Sequence, residues 1–282
     1  MTEDFRSGFV AILGRPNVGK SMLLNALMGQ KVTIVSKRPN TTRRNIRGIL
    51  TDAHSQIVFV DTPGIHRPRT PLGARLNDAA HEASDDVDLQ LIVVDATAKI
   101  GPGDRRVLGS APQSAFAVVN KCDIASPAQI AEQLTMLQEF PLAEYFPVSA
   151  RSRKGIPELL SAIRAQMTDP YQYYPDEMVS DQEEAAWIAD LVREGFLHVL
   201  EKELPHSIAC RVTEMSESKI RVEILVERDS QKPIVIGRGG ETLKQVGTRV
   251  RRSLPDGVYL ELFVRVAKNW QSDPRVLDQL GL

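Results

Sequence analysis

The segment Phe9-Val10-Ala11-Ile12-Leu13 runs directly into Gly14-Arg15-Pro16-Asn17-Val18-Gly19-Lys20-Ser21, and an amphipathic stretch follows to residue 28. Few folds accommodate that order. Five consecutive apolar residues are too short for a helix and read as a buried strand. The stretch after the loop carries helical spacing. Between them, glycines at both ends let backbone N–H groups turn inward, which makes a cradle for phosphate oxygens. Lys20 then reaches the outer phosphates of a nucleoside triphosphate, and the Ser21 hydroxyl meets a Mg²⁺ ion. Asn17, Val18 and Gly19 supply cradle amides. A chance glycine turn would require neither the strand before nor the helix after.

Short apolar runs recur at residues 57–60, 91–94, 116–119 and 145–148, with helical patterns at 20–28, 128–139 and 156–167. This alternation predicts an α/β domain with a mostly parallel sheet. Its ligands belong at the carboxyl ends of the strands. Three more motifs fall at such ends. Asp61-Thr62-Pro63-Gly64 follows the second run: Asp61 can hold the metal through water, and the Gly64 amide can meet the γ-phosphate. Asn120-Lys121-Cys122-Asp123 follows the fourth. There Asp123 can accept from guanine N1–H and N2–H₂, which adenine cannot offer, so a mismatch leaves the carboxylate unpaired. The Lys121 stem packs on the base and Asn120 braces the loop. Ser149-Ala150 follows the last run and can set the Ala150 amide on guanine O6.

The rhythm breaks at Thr168-Asp169-Pro170-Tyr171-Gln172-Tyr173-Tyr174-Pro175-Asp176, whose prolines and polar residues suit a linker. The expected organisation is a nucleotide domain over 1–170, a linker over 171–182 and a smaller α+β domain over 183–282. The second domain starts with a helix at 183–204, then strands at 207–214 and 219–228. An apolar run at 233–236, read as a strand, enters Gly237-Arg238-Gly239-Gly240; a helix to residue 253 and a strand at 258–267 follow. The order is close to α-β-β-α-α-β. A GxxG loop in this setting clamps the backbone of single-stranded RNA, as in KH domains of type II. Arg238 offers a phosphate contact, and Lys244 and Arg249 lie on the helix beyond.

The formal charge of the 282-residue chain is −1, so no global field announces a polyanion partner. Residues 231–270, however, carry eight cations against three carboxylates, a local +5. If several contact phosphate, affinity falls with salt at a slope near −0.7 per contact. Phe263 is expected to alternate into the core, with stacking on a base as the other reading; Trp270 is open between the two. Cys122 and Cys210 form no CxxC, which argues against a zinc site or disulfide framework and fits a reducing cytosol. Residues 1–7 lack a signal-peptide pattern, and no apolar run reaches membrane-spanning length.

Together these motifs resemble the translation-factor-related GTPases and, with the KH-like half, the Era family of bacterial GTPases over essentially the whole chain. The phrases that carry this are 14–24, 61–66, 235–244, Gly247-Thr248-Arg249, Lys268-Asn269-Trp270 and Leu277-Asp278-Gln279-Leu280-Gly281. The resemblance implies a slow GTPase that binds the 3′ end of 16S ribosomal RNA and assists small-subunit maturation. It implies a cytoplasmic protein with peripheral contact to the inner membrane, and no obligate oligomer. Thr41-Thr42 falls where the first switch belongs; Thr42 is the choice for completing the Mg²⁺ shell, with Thr41 the alternative. Ile65 replaces the glutamine that orients water in Ras-like enzymes. The resemblance then implies that Asn17 coordinates a K⁺ ion in place of an arginine finger. Met22 stands where the family has threonine, so a backbone contact to the α-phosphate survives and a hydroxyl contact does not. The run Ala185-Ala186-Trp187-Ile188-Ala189-Asp190 also departs from the family's more acidic pattern. Two other readings remain: a GTPase whose C-terminal domain contacts a protein or membrane, and an RNA-binding module with a vestigial nucleotide site. The complete set Lys20, Ser21, Asp61, Asn120 and Asp123 argues against the latter.

Overall fold

The computed structural model describes residues 5–66, 68, 70–201 and 204–282. They divide into two compact units. The first takes Met1–Thr33, Thr42–Pro68 and Gly73–Asp181; the second takes Ile34–Thr41, Arg69–Leu72 and Gln182–Leu282.

The first unit is a six-stranded sheet with helices on both faces. In chain order it contains β1 (Arg6–Leu13), α1 (Lys20–Met28), β2 (Ile46–Thr51), β3 (Ser55–Asp61), α2 (Pro71–Asp85), β4 (Leu89–Asp95), α3 (Pro102–Ser110), β5 (Phe116–Asn120), α4 (Pro127–Leu137), β6 (Glu144–Pro147) and α5 (Ile156–Gln166). The sheet order is β2-β3-β1-β4-β5-β6. All pairings are parallel except β2 with β3. Alternate residues of the central strands feed two separate cores. Val10, Ile12, Phe59, Leu91, Val93, Phe116 and Val118 pack with Leu23 and Leu24 of α1 and Leu159 and Ile163 of α5. Ala11, Leu13, Ile92, Val94, Ala117 and Val119 pack with Ala80 of α2, Val107 and Leu108 of α3 and Leu137 of α4. A strand covered on both faces needs apolar residues at every position, which explains the unbroken runs in the sequence.

The segment predicted as a linker is laid along this unit. Asp169 bridges to Ser7 and Ser180 to Gly48. The Gln56 side chain accepts the Tyr173 and Tyr174 N–H groups at 2.8 and 2.9 Å and donates to the Tyr174 carbonyl at 2.8 Å.

The second unit contains α6 (Glu184–Val199), β7 (Ala209–Met215), β8 (Lys219–Val226), α7 (Lys232–Ile236), α8 (Glu241–Arg251), β9 (Tyr259–Val266) and α9 (Pro274–Gln279). Its sheet order is β7-β8-β9, antiparallel then parallel, with a bulge between Val212 and Glu214. The run expected as a strand before the GxxG loop is a short helix instead. Pro233 sits in its first turn, where the missing N–H costs nothing.

One side chain corrects the sequence reading, and a second decides a reading that the sequence left open. Phe263 does not enter the core; it is 43% exposed, on the β9 face that also carries Tyr259. Trp270 is fully buried, and its indole N–H donates to the Ser207 carbonyl at 2.9 Å. Residues 34–41 belong to this unit. Ile34 joins its core, the Val35 N–H donates to the buried Glu194 carboxylate at 2.9 Å, and the buried Arg193 guanidinium donates to the Thr41 carbonyl.

Candidate functional site

The phosphate loop bridges β1 and α1. It reaches its shape through left-handed backbone at Asn17 (φ 67°) and a positive φ of 101° at Gly19. A Cβ on Gly19 would lie 2.3 Å from Asn120 Nδ2. That side chain needs the space because it donates to the Val18 carbonyl at 3.0 Å. Asn120 Oδ1 meanwhile accepts the N–H groups of Lys121 (2.8 Å) and Ala150 (3.0 Å). One asparagine therefore ties together the phosphate loop and the loops after β5 and β6.

Lys121 has left-handed backbone (φ 71°), and its ammonium meets the Asn17 carbonyl at 2.7 Å and Asp95 at 2.5 Å. Asp95 is a site residue that motif reading missed. Its place at the carboxyl end of β4 was the available signal. Burial works against its charge, but Lys121 and Thr97 outweigh that and hold the carboxyl below its ordinary value. Asp123 is exposed, with one oxygen accepting the Ser149 hydroxyl at 2.8 Å.

Three oxygen donors predicted to share the metal converge. Thr42 Oγ1 lies 2.7 Å from Ser21 Oγ and donates to Asp61 Oδ2 at 2.9 Å. Thr41 faces elsewhere: its hydroxyl lies 2.7 Å from Ser36 Oγ and donates to the Arg38 carbonyl at 2.7 Å. Asp61 is completely buried, and its second oxygen, Oδ1, has no hydrogen-bond partner among the described residues. A buried carboxylate oxygen without a partner beside two hydroxyls fits a hard divalent cation or its water shell. Thr33, not anticipated from sequence, adds a hydroxyl 3.5 Å from Asp61 Oδ2. Burial pushes the Asp61 carboxyl above its ordinary range, with Lys20 opposing. Burial also pushes the Lys20 ammonium down to about 8. That ammonium donates to the carbonyls of Gly14 (3.0 Å) and Arg15 (3.1 Å).

The Ile65 side chain is buried in the second core of the unit, while its N–H donates to Gly14 at 3.2 Å. Beside it lies a cavity of about 410 Å³ lined by Arg15, Pro16, Ile65, His66, Gly103 and Arg106. Met22 packs against the first core.

In the second unit, Gly237 (φ 78°), Gly239 (φ 60°) and Gly240 (φ 82°) shape the loop between α7 and α8. A Cβ at Gly237 would meet Thr242 Oγ1 at 2.3 Å and Thr242 N at 2.7 Å. Arg238, Lys244 and Arg249 are exposed, as are Arg251 and Arg252.

A family model described as a 50S ribosome-binding GTPase matches residues 9–121, and a KH-domain model matches residues 203–271. The chain is 45% identical to GTPase Era of Mycolicibacterium smegmatis, covering 100% of both, and 42% identical to GTPase Era of Clostridium acetobutylicum, covering 98% of both. Among solved structures it is similar to Era in complex with MgGDPNP and nucleotides 1506–1542 of 16S ribosomal RNA, with a TM-score of 0.93 and 33% identity over 98% of this chain and 99% of that one. An Aquifex aeolicus Era variant bound to GDP·AlF4⁻ gives a TM-score of 0.92 at 33% identity.

Fold and site together define a P-loop GTPase joined to a KH domain. Within that class, identity along the full length is decisive: the chain belongs to the GTPase Era family. Among the described residues, no helix is long and apolar enough to cross a membrane.

Proposed function

We propose that this GTPase is a cytoplasmic switch that grips the single-stranded 3′ end of 16S ribosomal RNA with its C-terminal unit during small-subunit maturation. The observation that carries this reading is the presence in one chain of the Ser21–Thr42–Asp61 cluster and the Gly237–Gly240 loop. The relative solved with both MgGDPNP and a 16S fragment has the same two elements of fold.

In the nucleotide site, amides of the 17–22 loop hold phosphate oxygens and Lys20 places its ammonium on the outer phosphates. Ser21, Thr42 and Asp61 would hold Mg²⁺, which when bound neutralises charge shared by the outer phosphates. Asp123 and the Ala150 amide select guanine, while Asn120 keeps their loops in register with the phosphate loop. The buried Ile65 cannot polarise water, so intrinsic turnover is slow. Asn17, exposed on the phosphate loop, would offer its amide oxygen to a K⁺ ion, whose charge would supply what an arginine finger supplies elsewhere. In the second unit, Arg238, Lys244 and Arg249 neutralise backbone phosphates around the glycine loop.

The test is a titration of the protein with a single strand matching the 16S 3′ end and with an unrelated strand of the same length. Tighter binding of the matching strand is expected, and equal affinity for both would reject the ribosomal reading.

A further inference from the structure

Phe263 is a residue of the second unit whose side chain sequence patterning placed on the wrong face, and its actual position has chemical content. It lies on β9, directly opposite Glu223 of β8, and its ring is 43% exposed. Two cations from different elements converge on that ring. Arg221 of β8 places its guanidinium carbon 5.3 Å from the centroid, and Lys232, the first residue of α7, places its ammonium 5.9 Å away. Both distances fall within the cation–π range. Arg221 is further oriented by Glu261, 3.5 Å away.

An exposed aromatic face flanked by positive groups matches a nucleobase, whose π-face stacks on the ring while the adjoining phosphates meet the cations. Arg221 already has Glu261 as a counter-ion, but an apolar protein side chain would gain the ring and offer Lys232 no anion, so the charge favours a polyanion. Placement points the same way. Lys232 opens the five-residue helix that ends at the glycine loop. Five helical residues rise only about 7.5 Å, so ring and loop lie within reach of one short strand. Ile234, 58% exposed, lies on the helix between them.

We infer that Phe263, with Arg221 and Lys232, is a base-stacking platform for a nucleotide of the strand whose backbone is held by the GxxG loop. This rests on the RNA-binding reading above, and it assigns a base contact where the glycine loop assigns only a phosphate contact. The partner is thus unpaired RNA, recognised in part by its base faces.

The test introduces Phe263→Trp and follows its fluorescence, corrected for wild-type signal, during titration with a single-stranded RNA of about 12 nucleotides. An abasic backbone of the same length is titrated alongside. Saturable quenching by the RNA, and none by the abasic backbone, is expected. Phe263→Ala should bind the RNA about five- to a hundredfold more weakly, with thermal unfolding confirming that the variant folds. Tight binding of the RNA with no change in tryptophan signal would overturn the platform and leave the RNA-binding reading intact. Failure of wild-type protein to bind any strand would overturn both. Quenching by a protein fraction but not by RNA would assign the ring to a protein partner and overturn the proposal.

Discussion

Thr42 donates its hydroxyl to Asp61 Oδ2 across 2.9 Å, although the two lie 19 positions apart in sequence. This contact distinguishes two adjacent threonines, and Thr42 is the one proposed to meet the metal. Thr41→Ala removes only bonds to Ser36 and Arg38. Thr42→Ala removes a group facing both Ser21 and Asp61 and should weaken the Mg²⁺ requirement's saturation by about 10- to 100-fold. Single-turnover GTP hydrolysis across a Mg²⁺ titration reads this. A larger loss in Thr41→Ala than in Thr42→Ala would refute the assignment.

Lys20 carries a pH signature. Burial lowers its folded pKa to about 8 from the ordinary 10.5. Between those values the unfolded chain binds the proton that the free folded protein does not, so this residue makes the free protein more stable as pH rises through the window. Phosphate oxygens reverse the preference. Nucleotide binding at about pH 9 should therefore take up a proton, and affinity should fall above about 8. Calorimetry in two buffers of different ionisation enthalpy measures the uptake. It should vanish in Lys20→Arg, whose guanidinium stays charged.

Asp123 is held by the Ser149 hydroxyl at 2.8 Å and is otherwise open to a base. Asp123→Asn should weaken GTP by about a hundredfold or more, the low end of the value of two hydrogen bonds to a charged group, and should gain xanthosine triphosphate. Competition binding with both nucleotides decides; unchanged GTP preference would remove guanine recognition from this residue.

Asn17 predicts a cation effect on rate. Replacing Na⁺ by K⁺ at constant ionic strength should speed hydrolysis at least about tenfold, equivalent to about 1.4 kcal/mol of barrier. Asn17→Ala should abolish the difference. Equal rates of the wild-type protein in the two salts would dispose of the ion.

Gly237 and Gly239 separate shape from charge in the RNA loop. Gly237→Ala drives a Cβ into Thr242 and should cost about 2 kcal/mol or more and disrupt RNA binding. Among the described residues a Cβ on Gly239 meets nothing within 4 Å, so Gly239→Ala carries only the left-handed backbone penalty of about 1 kcal/mol. Arg238→Ala should leave the fold unchanged and lower the salt slope of RNA binding by about 0.7. Denaturant unfolding and salt-dependent titrations read the two effects.

Much of the nucleotide unit was legible because both faces of its sheet are covered, which writes the strands as uninterrupted apolar runs. β2 escaped for the opposite reason. Ile46-Arg47-Gly48-Ile49-Leu50-Thr51 mixes an arginine and a glycine into an edge strand, and nothing in that pattern distinguishes it from a loop. Asn120, Asp61 and Lys20 were legible as motifs, yet the tie from Asn120 to Val18 spans 102 positions and no local pattern encodes it. Phe263 was misplaced by parity. In a strand of period two, one step of register moves a side chain from core to surface, and β9 keeps Leu260 and Val264 inside, leaving Phe263 outside. Trp270 was left open by sequence because what receives its indole N–H in the core, the Ser207 carbonyl, lies 63 positions away.

A GTP-controlled switch requires that nucleotide state set the RNA grip. The chain crosses between the two units at Thr41–Thr42, with the Thr41 carbonyl held by Arg193 in one unit and the Thr42 hydroxyl facing Asp61 in the other. The most direct measurement is the affinity for a 16S 3′-end strand with a non-hydrolysable GTP analogue, with GDP, and without nucleotide. Tighter binding in the analogue state than in GDP, by about fivefold or more, is expected, with reciprocal tightening of the analogue by RNA. Identical affinity in all three states would contradict the claim.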